Sequence, residues 1–313
     1  MPHKLSFDDD VPDSRPVGFV TGGEHNDSIL SLVEESYKNK KDVDKNEIII
    51  LIENLYRSMN GNISFTTLEQ LKNAITDRKR PANRELAIHF DHAMKILDGN
   101  KSKEIILEDG TLVPMFDTTM SRQVCMVGGM SGSGKSYYTA NLCRTYKKQF
   151  PDNKLILFSN KSSDPAFDSL AYVERVVIDE DLLIEPITLE ELRNTMVIFD
   201  DVEYTSNKEM DKELDRIRDL ILQQGRSFKT TFVYVSHQFS NYRQTRTILN
   251  EAHSFTFFPA TATKHSMKYM FDKYMGYDRK TIEKLMRLPS RWVTVTKSPP
   301  SAMYSNGCYL IDC

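Results

Sequence analysis

The chain of 313 residues is 40% hydrophobic and 27% charged, with a formal net charge of −3, which excludes a nucleic-acid binder that is basic throughout. Its four cysteines form no CxxC pair and no Cys/His cluster with zinc spacing, so reduced thiols are expected. The acidic N-terminus lacks the apolar core of a signal peptide, and no run of about 18 apolar residues predicts a membrane span.

The composition of the first hundred residues predicts two regions. We find no catalytic or ligand-binding motif in either of them. Residues 1–27 are acidic and contain proline and glycine, which predicts a disordered N-terminus. Residues 28–100 predict a small helical accessory domain, because their apolar residues have mainly helical spacing. The predicted helices are 29–40, 47–59, a third that begins at the capping box of Thr66 and Glu69, and 83–97.

The third predicted domain, residues 101–313, has an α/β pattern. It opens with a β-rich bridge from Glu104 to Phe116, and from Arg122 onward apolar strands alternate with helices. Such alternation predicts a mainly parallel sheet with helices on both faces. The predicted strands are 122–127, 154–159, 173–178, 195–200, 230–236, 254–258, 292–297 and 307–311, and the predicted helices are 135–149, 188–194, 207–225, 264–275 and 279–287.

Residues Gly129 to Ser136 fit the phosphate-loop pattern GxxxxGK[ST] in full, between a predicted strand and a predicted helix. Glycines let backbone N–H groups face the phosphates, and the helix N-terminus adds its dipole. Lys135 is expected to reach the β- and γ-phosphates of ATP, and the Ser136 hydroxyl to ligate Mg²⁺. The predicted nucleotide-binding residues are Gly129, Met130, Ser131, Gly132, Ser133, Gly134, Lys135, Ser136 and Tyr137.

A second acidic motif follows the apolar strand that starts at Met196 and ends in Asp200 and Asp201. A buried strand with an aspartate at its carboxyl end is the Walker B pattern. Asp200 is predicted to hold Mg²⁺, and Asp201 to act as the catalytic base that polarises the attacking water. Glu203 is the alternative base.

The strand over 230–236 ends next to His237 and Gln238. A polar side chain at the tip of the strand beside the phosphate loop can contact the γ-phosphate, so Gln238 is predicted as a sensor, with His237 second. Residues Asn160 to Asp164 are similar to a guanine-reading motif, but their spacing is one residue too long, and we set that interpretation aside.

The order GGMSGSGKS, MVIFDD and QQGRSFKTTFVYVSHQ resembles the HerA–FtsK superfamily, and most of all the poxvirus-type genome-packaging ATPases of large DNA viruses. The resemblance covers roughly 104–311. It implies a RecA-like P-loop NTPase with an additional strand between the phosphate-loop and Walker B strands. The family elements here are Gly225-Arg226, Gln238, Arg246 to Asn250 and Ser290 to Pro299, whereas Ser227 and the Asp-Asp ending depart from the family pattern.

The resemblance further implies an ATP-hydrolysing motor that translocates double-stranded DNA and packages a viral genome. The implied partners are the DNA, a homo-oligomeric ring of the chain itself, and capsid or portal-site proteins. The implied location is the host cytoplasm, a viral factory or the virion. In such a ring Arg226, or else Arg246, is predicted to act as an arginine finger in a neighbouring subunit.

The charge distribution fits a polyanionic partner. From Arg226 to Pro300 the chain has 13 Lys/Arg and 4 Asp/Glu, or about +9, interleaved with aromatic residues. Two other interpretations stay open on the residues alone. One is a P-loop nucleotide or polynucleotide kinase with a lid of Arg243, Arg246 and Arg291, and the other is a binding module that holds ATP without hydrolysing it.

Overall fold

The computed structural model describes residues 3–7, 11, 14–34, 103–202, 205, 207–237 and 245–311. The strands are β1 His3–Ser6, β2 Arg15–Thr21, β3 Ile29–Glu34, β4 Glu104–Ile106, β5 Thr111–Pro114, β6 Val124–Gly128, β7 Lys154–Ser159, β8 Val173–Val177, β9 Thr195–Asp200, β10 Thr231–Ser236, β11 Ser254–Phe257, β12 Val293–Lys297, β13 Pro300–Tyr304 and β14 Gly307–Leu310. The helices are α1 Lys135–Gln149, α2 Pro165–Asp168, α3 Asp181–Ile184, α4 Lys208–Gln224, α5 Arg246–Glu251, α6 Lys264–Met270 and α7 Arg279–Met286, and a π-helical segment, Phe271–Met275, extends α6.

A ten-stranded sheet forms the centre of the described structure. Its strand order is β8-β7-β9-β10-β6-β11-β12-β13-β14-β4, and it is parallel from β8 to β11 and antiparallel from β11 to β4. Strand β10 lies between β6, which leads into the phosphate loop, and β9, which ends in Asp200. This confirms the predicted α/β fold with a mainly parallel sheet and an additional strand.

Both faces of this sheet are covered, as the alternation along β6 shows. Val124 and Met126 pack into one apolar cluster together with α4, while Cys125 and Val127 pack into a second cluster together with α1. Side chains that alternate along a strand point to opposite faces, so α1 and α4 cover opposite faces of the sheet. This explains why the central strands are apolar without a polar alternate face.

The phosphate-loop helix α1 is fixed to the antiparallel half of the sheet by a buried hydrogen-bond network. The Tyr138 hydroxyl lies 2.6 Å from the Thr294 hydroxyl and accepts a hydrogen bond from the Thr256 hydroxyl at 2.9 Å. Burial raises the pKa of Tyr138, so the phenol stays protonated. A fully buried polar network of this kind favours one orientation of α1 over others.

The predicted strands of the third domain are confirmed within one or two residues, and so are four of its five helices. The predicted helix 188–194 is wrong. Residues 189–194 form turns, the Thr188 hydroxyl donates to the Glu191 carboxylate at 2.7 Å, and Asn194 has a positive φ of 53°. A residue in the left-handed region does not continue an α-helix, so the chain turns at Asn194 directly into β9, which begins at Thr195.

The prediction for the N-terminus is corrected by the described residues. Strands β1 and β2 lie inside the segment expected to be disordered, and β3 replaces the start of the first predicted helix. These strands form an antiparallel sheet with β5, in the order β1-β3-β2-β5, and bury Leu5, Val20 and Leu30. The remaining predicted helices lie outside the described residues.

Two physical reasons explain the error. The six-residue segment Ile29–Glu34 has only four apolar side chains, too few to distinguish helical from extended periodicity, so it is ambiguous on its own. Its state is decided by β1 and β2, which pair with its two edges.

The bridge over 104–116 is β-rich, as predicted. Its two strands join the two sheets, since β4 pairs with β14 and β5 pairs with β2.

Candidate nucleotide-binding site

The phosphate loop runs from the end of β6 to the start of α1. Gly132 and Gly134 have positive φ angles of 75° and 109°, a conformation that L side chains rarely adopt. At Gly129 an added Cβ would lie 2.8 Å from both the Phe258 ring and the Ser133 hydroxyl. The loop therefore requires glycine for backbone angles at two positions and for space at a third.

Lys135 turns back into the concave side of the loop. Its side chain is buried, and its ammonium donates to the carbonyl oxygens of Gly129 at 2.7 Å and Met130 at 3.1 Å. The buried Ser133 hydroxyl has no hydrogen-bond partner within the described part of the chain. A buried ammonium and an unpaired hydroxyl inside a loop at a helix N-terminus form a site suited to phosphate oxygens.

Asp200 has the environment expected of a metal ligand. It is 2% exposed, and its Oδ2 atom has no hydrogen-bond partner in the residues that the structure describes. Burial, together with the negative charge of Asp201, raises the pKa of Asp200 to about 6. A divalent cation would offset that burial cost, so the residues present fit Mg²⁺.

Mg²⁺ usually retains water molecules and is completed by nucleotide phosphates rather than held by a full protein cage. The described residues contain no group of three or more His, Cys, Asp and Glu side chains placed to hold a metal ion. Asp200 and the Ser136 hydroxyl are the groups that would contribute from this chain.

Asp201 lies at the centre of a charged cluster. Its carboxylate pairs with the Lys161 ammonium and, through Oδ1, with Nε2 of His237 at 2.7 Å. Partial burial alone would raise the pKa of Asp201, but Lys161 and then His237 and Lys135 hold that pKa below its usual value. Asp201 is therefore ionised at neutral pH, as a group that orients water must be.

His237 connects this cluster to the phosphate loop. Its Nδ1 atom lies 3.4 Å from the Lys135 ammonium, while its Nε2 atom faces Asp201. It stands directly after β10, at the strand tip where a sensor was predicted. Gln238, the first choice for that role, and Glu203, the alternative base, lie outside the described residues.

These groups share one open cleft of about 350 Å³. Tyr137, which is 64% exposed, is one of the residues that line it. The lining residues are Ser131, Gly132, Gly134, Lys135, Ser136, Tyr137, Lys161, Asp164, Pro165, Asp200, Asp201, His237 and Arg291.

Among these lining residues, Arg291 and Lys161 had no predicted role in a motor. Arg291 precedes β12, and its Nε donates to the Ser133 carbonyl oxygen at 3.2 Å. Its guanidinium lies about 3 Å from the position that a Cβ would take at Gly134. Lys161, in the motif that had been set aside, pairs with Asp201. Neither position could be recognised from the local sequence, because both depend on which strands are neighbours in the sheet.

Neither of the two candidate arginine fingers lines this cleft. Arg226 is exposed, precedes β10, and sits near Arg122 at the amino end of β6, where its charge adds to burial in lowering the pKa of Arg122. The phosphate loop follows the opposite end of β6, and the six-residue strand β10, which Arg226 precedes, spans about 20 Å beside β6. Arg246 is exposed at the start of α5. Arg226 therefore lies too far from the phosphate loop of its own chain to contact a nucleotide bound there.

A protein of known sequence decides the family. The uncharacterized protein V3 of the Sputnik virophage is 33% identical to this chain over 214 residues, which cover 67% of this chain and 86% of V3. The chain belongs to the V3 family. No protein-family model matches the sequence.

Solved structures similar to this V3-family chain are P-loop ATPases of several systems. The genome packaging NTPase B204 of Sulfolobus turreted icosahedral virus 2 aligns with a TM-score of 0.42 and 14% identity, over 59% of this chain and 98% of B204. The pCW3 conjugation coupling protein TcpA aligns with a TM-score of 0.43 and 9% identity, over 93% of this chain and 77% of TcpA. Both scores are below 0.5, so the fold assignment depends on the strand order and phosphate loop described above.

In the described part of this V3-family chain, no helix is long and apolar enough to cross a membrane.

Proposed function

We propose that this protein is an ATPase motor that translocates double-stranded DNA and packages a viral genome into a capsid. The observation that carries the proposal is the cleft in which Lys135 of the phosphate loop, Asp200 and Asp201 meet across the additional strand β10. The sequence relationship to a virophage protein supports a viral setting.

The residues of the cleft have different roles in ATP hydrolysis. Lys135 binds the β- and γ-phosphates from inside the loop, and Asp201 orients the attacking water toward the γ-phosphate. Ser136 and Asp200 would hold Mg²⁺, which would supply positive charge to the phosphate oxygens. His237 fixes the positions of Asp201 and Lys135 relative to each other, since it contacts both side chains.

DNA binding is assigned to the basic surface on α6, the π-helical segment and α7. Lys264 and Lys268 are exposed and separated by one helical turn on α6, and the Lys273 side chain is 64% exposed. A motor that must pass every sequence cannot depend on contacts to particular bases. Contacts to the phosphate backbone are sufficient for this task.

Reversing the charge of Lys264, Lys268 and Lys273 together tests this surface. The triple Lys→Glu variant should lose DNA-stimulated ATPase activity and retain its basal ATPase activity, because none of the three residues lines the cleft. The logarithmic dependence of duplex affinity on salt should flatten by about 0.9 for each phosphate contact removed. Binding titrations at several salt concentrations give that slope.

A matched control is available on α4, where Lys208 and Lys212 are also exposed and one helical turn apart. Lys208→Glu and Lys212→Glu, combined with Lys154→Glu, add the same negative charge elsewhere. The control should keep the wild-type salt slope. If the α6 variant also kept the wild-type salt slope, the DNA would have to bind another surface.

The exposed position of Arg226, far from its own phosphate loop, predicts a site shared between subunits. Arg226→Ala should bind ATP normally and hydrolyse it at least about 100-fold more slowly, because an arginine finger contributes on the order of 10³ or more to turnover. Mixing Arg226→Ala with Lys135→Ala should restore part of the activity, since each variant leaves the other half of a shared site intact.

Turnover measured across mixing ratios, with mixed oligomers verified by two different tags, checks this expectation. Arg246→Ala provides the comparison, because Arg246 is also exposed and is the second candidate finger. Rescue with Arg246→Ala but not with Arg226→Ala would assign the finger to Arg246. Mixed oligomers without any rescue would contradict a shared site.

A further inference from the structure

The loop that follows β7 brings two side chains to Asp201. Asn160 donates from Nδ2 to the Asp201 carbonyl oxygen at 2.8 Å, and the Lys161 ammonium pairs with the Asp201 carboxylate. Asp201 has a positive φ of 56°, an uncommon conformation for a residue with a side chain. The loop after β7 thus holds both the main chain and the side chain of Asp201.

The backbone of this loop is itself well supported. Arg175, on β8, donates to the Lys161 carbonyl oxygen at 2.8 Å and pairs with Asp168 at 2.8 Å. The Ser159 hydroxyl accepts from the Lys161 N–H at 3.1 Å. The Lys161 side chain, in contrast, is 49% exposed toward the cleft. The backbone of Lys161 is therefore fixed, whereas its ammonium group can move to contact a ligand.

The surroundings of that ammonium are suited to phosphate. Lys161 lines the same cleft as Lys135 and Ser136, on the side opposite the phosphate loop. A γ-phosphate cradled by the loop would face Asp201, and an ammonium bound to Asp201 would then lie between two groups of negative charge. Lysine, with three donors on a flexible stem, can contact a carboxylate and a phosphate oxygen at once.

We propose that Lys161 bridges Asp201 and the γ-phosphate of ATP, and so makes the position of the water-orienting carboxylate depend on whether a terminal phosphate is bound. The inference rests on the proposed nucleotide site but not on DNA translocation. Lys161 would therefore distinguish ATP from ADP and contribute to catalysis through Asp201.

The test compares the affinities of the full-length protein for Mg·AMP-PNP and Mg·ADP, without DNA. Lys161→Ala should weaken AMP-PNP binding about tenfold and change ADP binding less than about twofold, since one charge-assisted phosphate contact is lost. Its kcat for ATP should also fall. Lys161→Arg should restore most of the preference for AMP-PNP, because arginine also donates to phosphate.

Lys154→Ala is the control, because Lys154 is an exposed lysine at the opposite end of the same strand. Should Lys161→Ala fail to fold, Lys161→Met keeps the apolar stem and serves in its place. An unchanged ratio of AMP-PNP to ADP affinity in the folded variant would overturn the inference, as would an equal loss for both nucleotides. Failure of the wild type to bind either nucleotide would overturn the nucleotide site itself, whereas absent DNA stimulation would leave this result unaffected.

Discussion

Lys135→Ala should reduce ATP turnover by about 100- to 1,000-fold or more, the range seen when one preorganised donor to a developing charge is removed. The side chain is buried in the phosphate loop, where it is bonded to the carbonyl oxygens of Gly129 and Met130. Its loss removes the positive charge that faces the phosphates and leaves those carbonyl groups with fewer donors. Steady-state turnover of the purified protein measures the effect.

Lys135→Arg separates charge from geometry. The guanidinium is larger and planar, so it cannot occupy the space that the ammonium fills inside the loop. We expect this variant to be nearly as inactive as Lys135→Ala, with unchanged secondary structure by circular dichroism. Lys212→Ala, an exposed lysine on α4, should retain wild-type turnover. Near wild-type turnover in folded Lys135→Ala would contradict the phosphate-loop assignment.

Asp201→Asn should lower kcat by about 10²- to 10⁴-fold, the usual contribution of a positioned acid or base, while Mg·ATP stays bound. The asparagine is nearly isosteric but lacks the charge that polarises water, and it loses the ion pair with Lys161. Single-turnover hydrolysis, measured together with nucleotide affinity, separates this chemical defect from a binding defect.

Asp200→Asn should behave differently, since Asp200 is assigned to the metal. Its hydrolysis should require a higher Mg²⁺ concentration, and the shift should be absent in Asp201→Asn. Glu203→Gln decides between the two candidate bases. An active Asp201→Asn variant alongside an inactive Glu203→Gln variant would transfer the role of base to Glu203.

The sequence predicted the parts of the site that are contiguous in the chain. The phosphate loop needs glycines, a lysine and a serine at fixed spacing, and Asp200 and Asp201 follow a strand that is apolar throughout. The central sheet was predictable for the same reason, because each strand is an apolar run between polar turns. Strand β10 was expected beside β6 on the strength of the family resemblance, and the pairing confirms it.

Features that depend on distant pairing could not be predicted in this way. Lys161 was set aside because its motif failed a spacing test, yet β7 lies next to β9 and so brings Lys161 to Asp201. Arg291 reaches the phosphate loop because β12 returns antiparallel to β11. The N-terminal strands were missed because β1, β2 and β3 are stabilised by one another, and none has a periodicity long enough to identify it alone.

The proposed motor is tested most directly by the ATPase rate of the assembled protein with and without linear double-stranded DNA. We expect duplexes of unrelated sequence to raise kcat to the same extent, and the stimulation to decline steeply with salt, because the contacts are to the phosphate backbone. Lys135→Ala should turn over ATP at most about a hundredth as fast as the wild type in either condition. An unchanged rate at low salt, together with transfer of the γ-phosphate to a nucleotide or polynucleotide end, would contradict a DNA motor and identify a P-loop kinase.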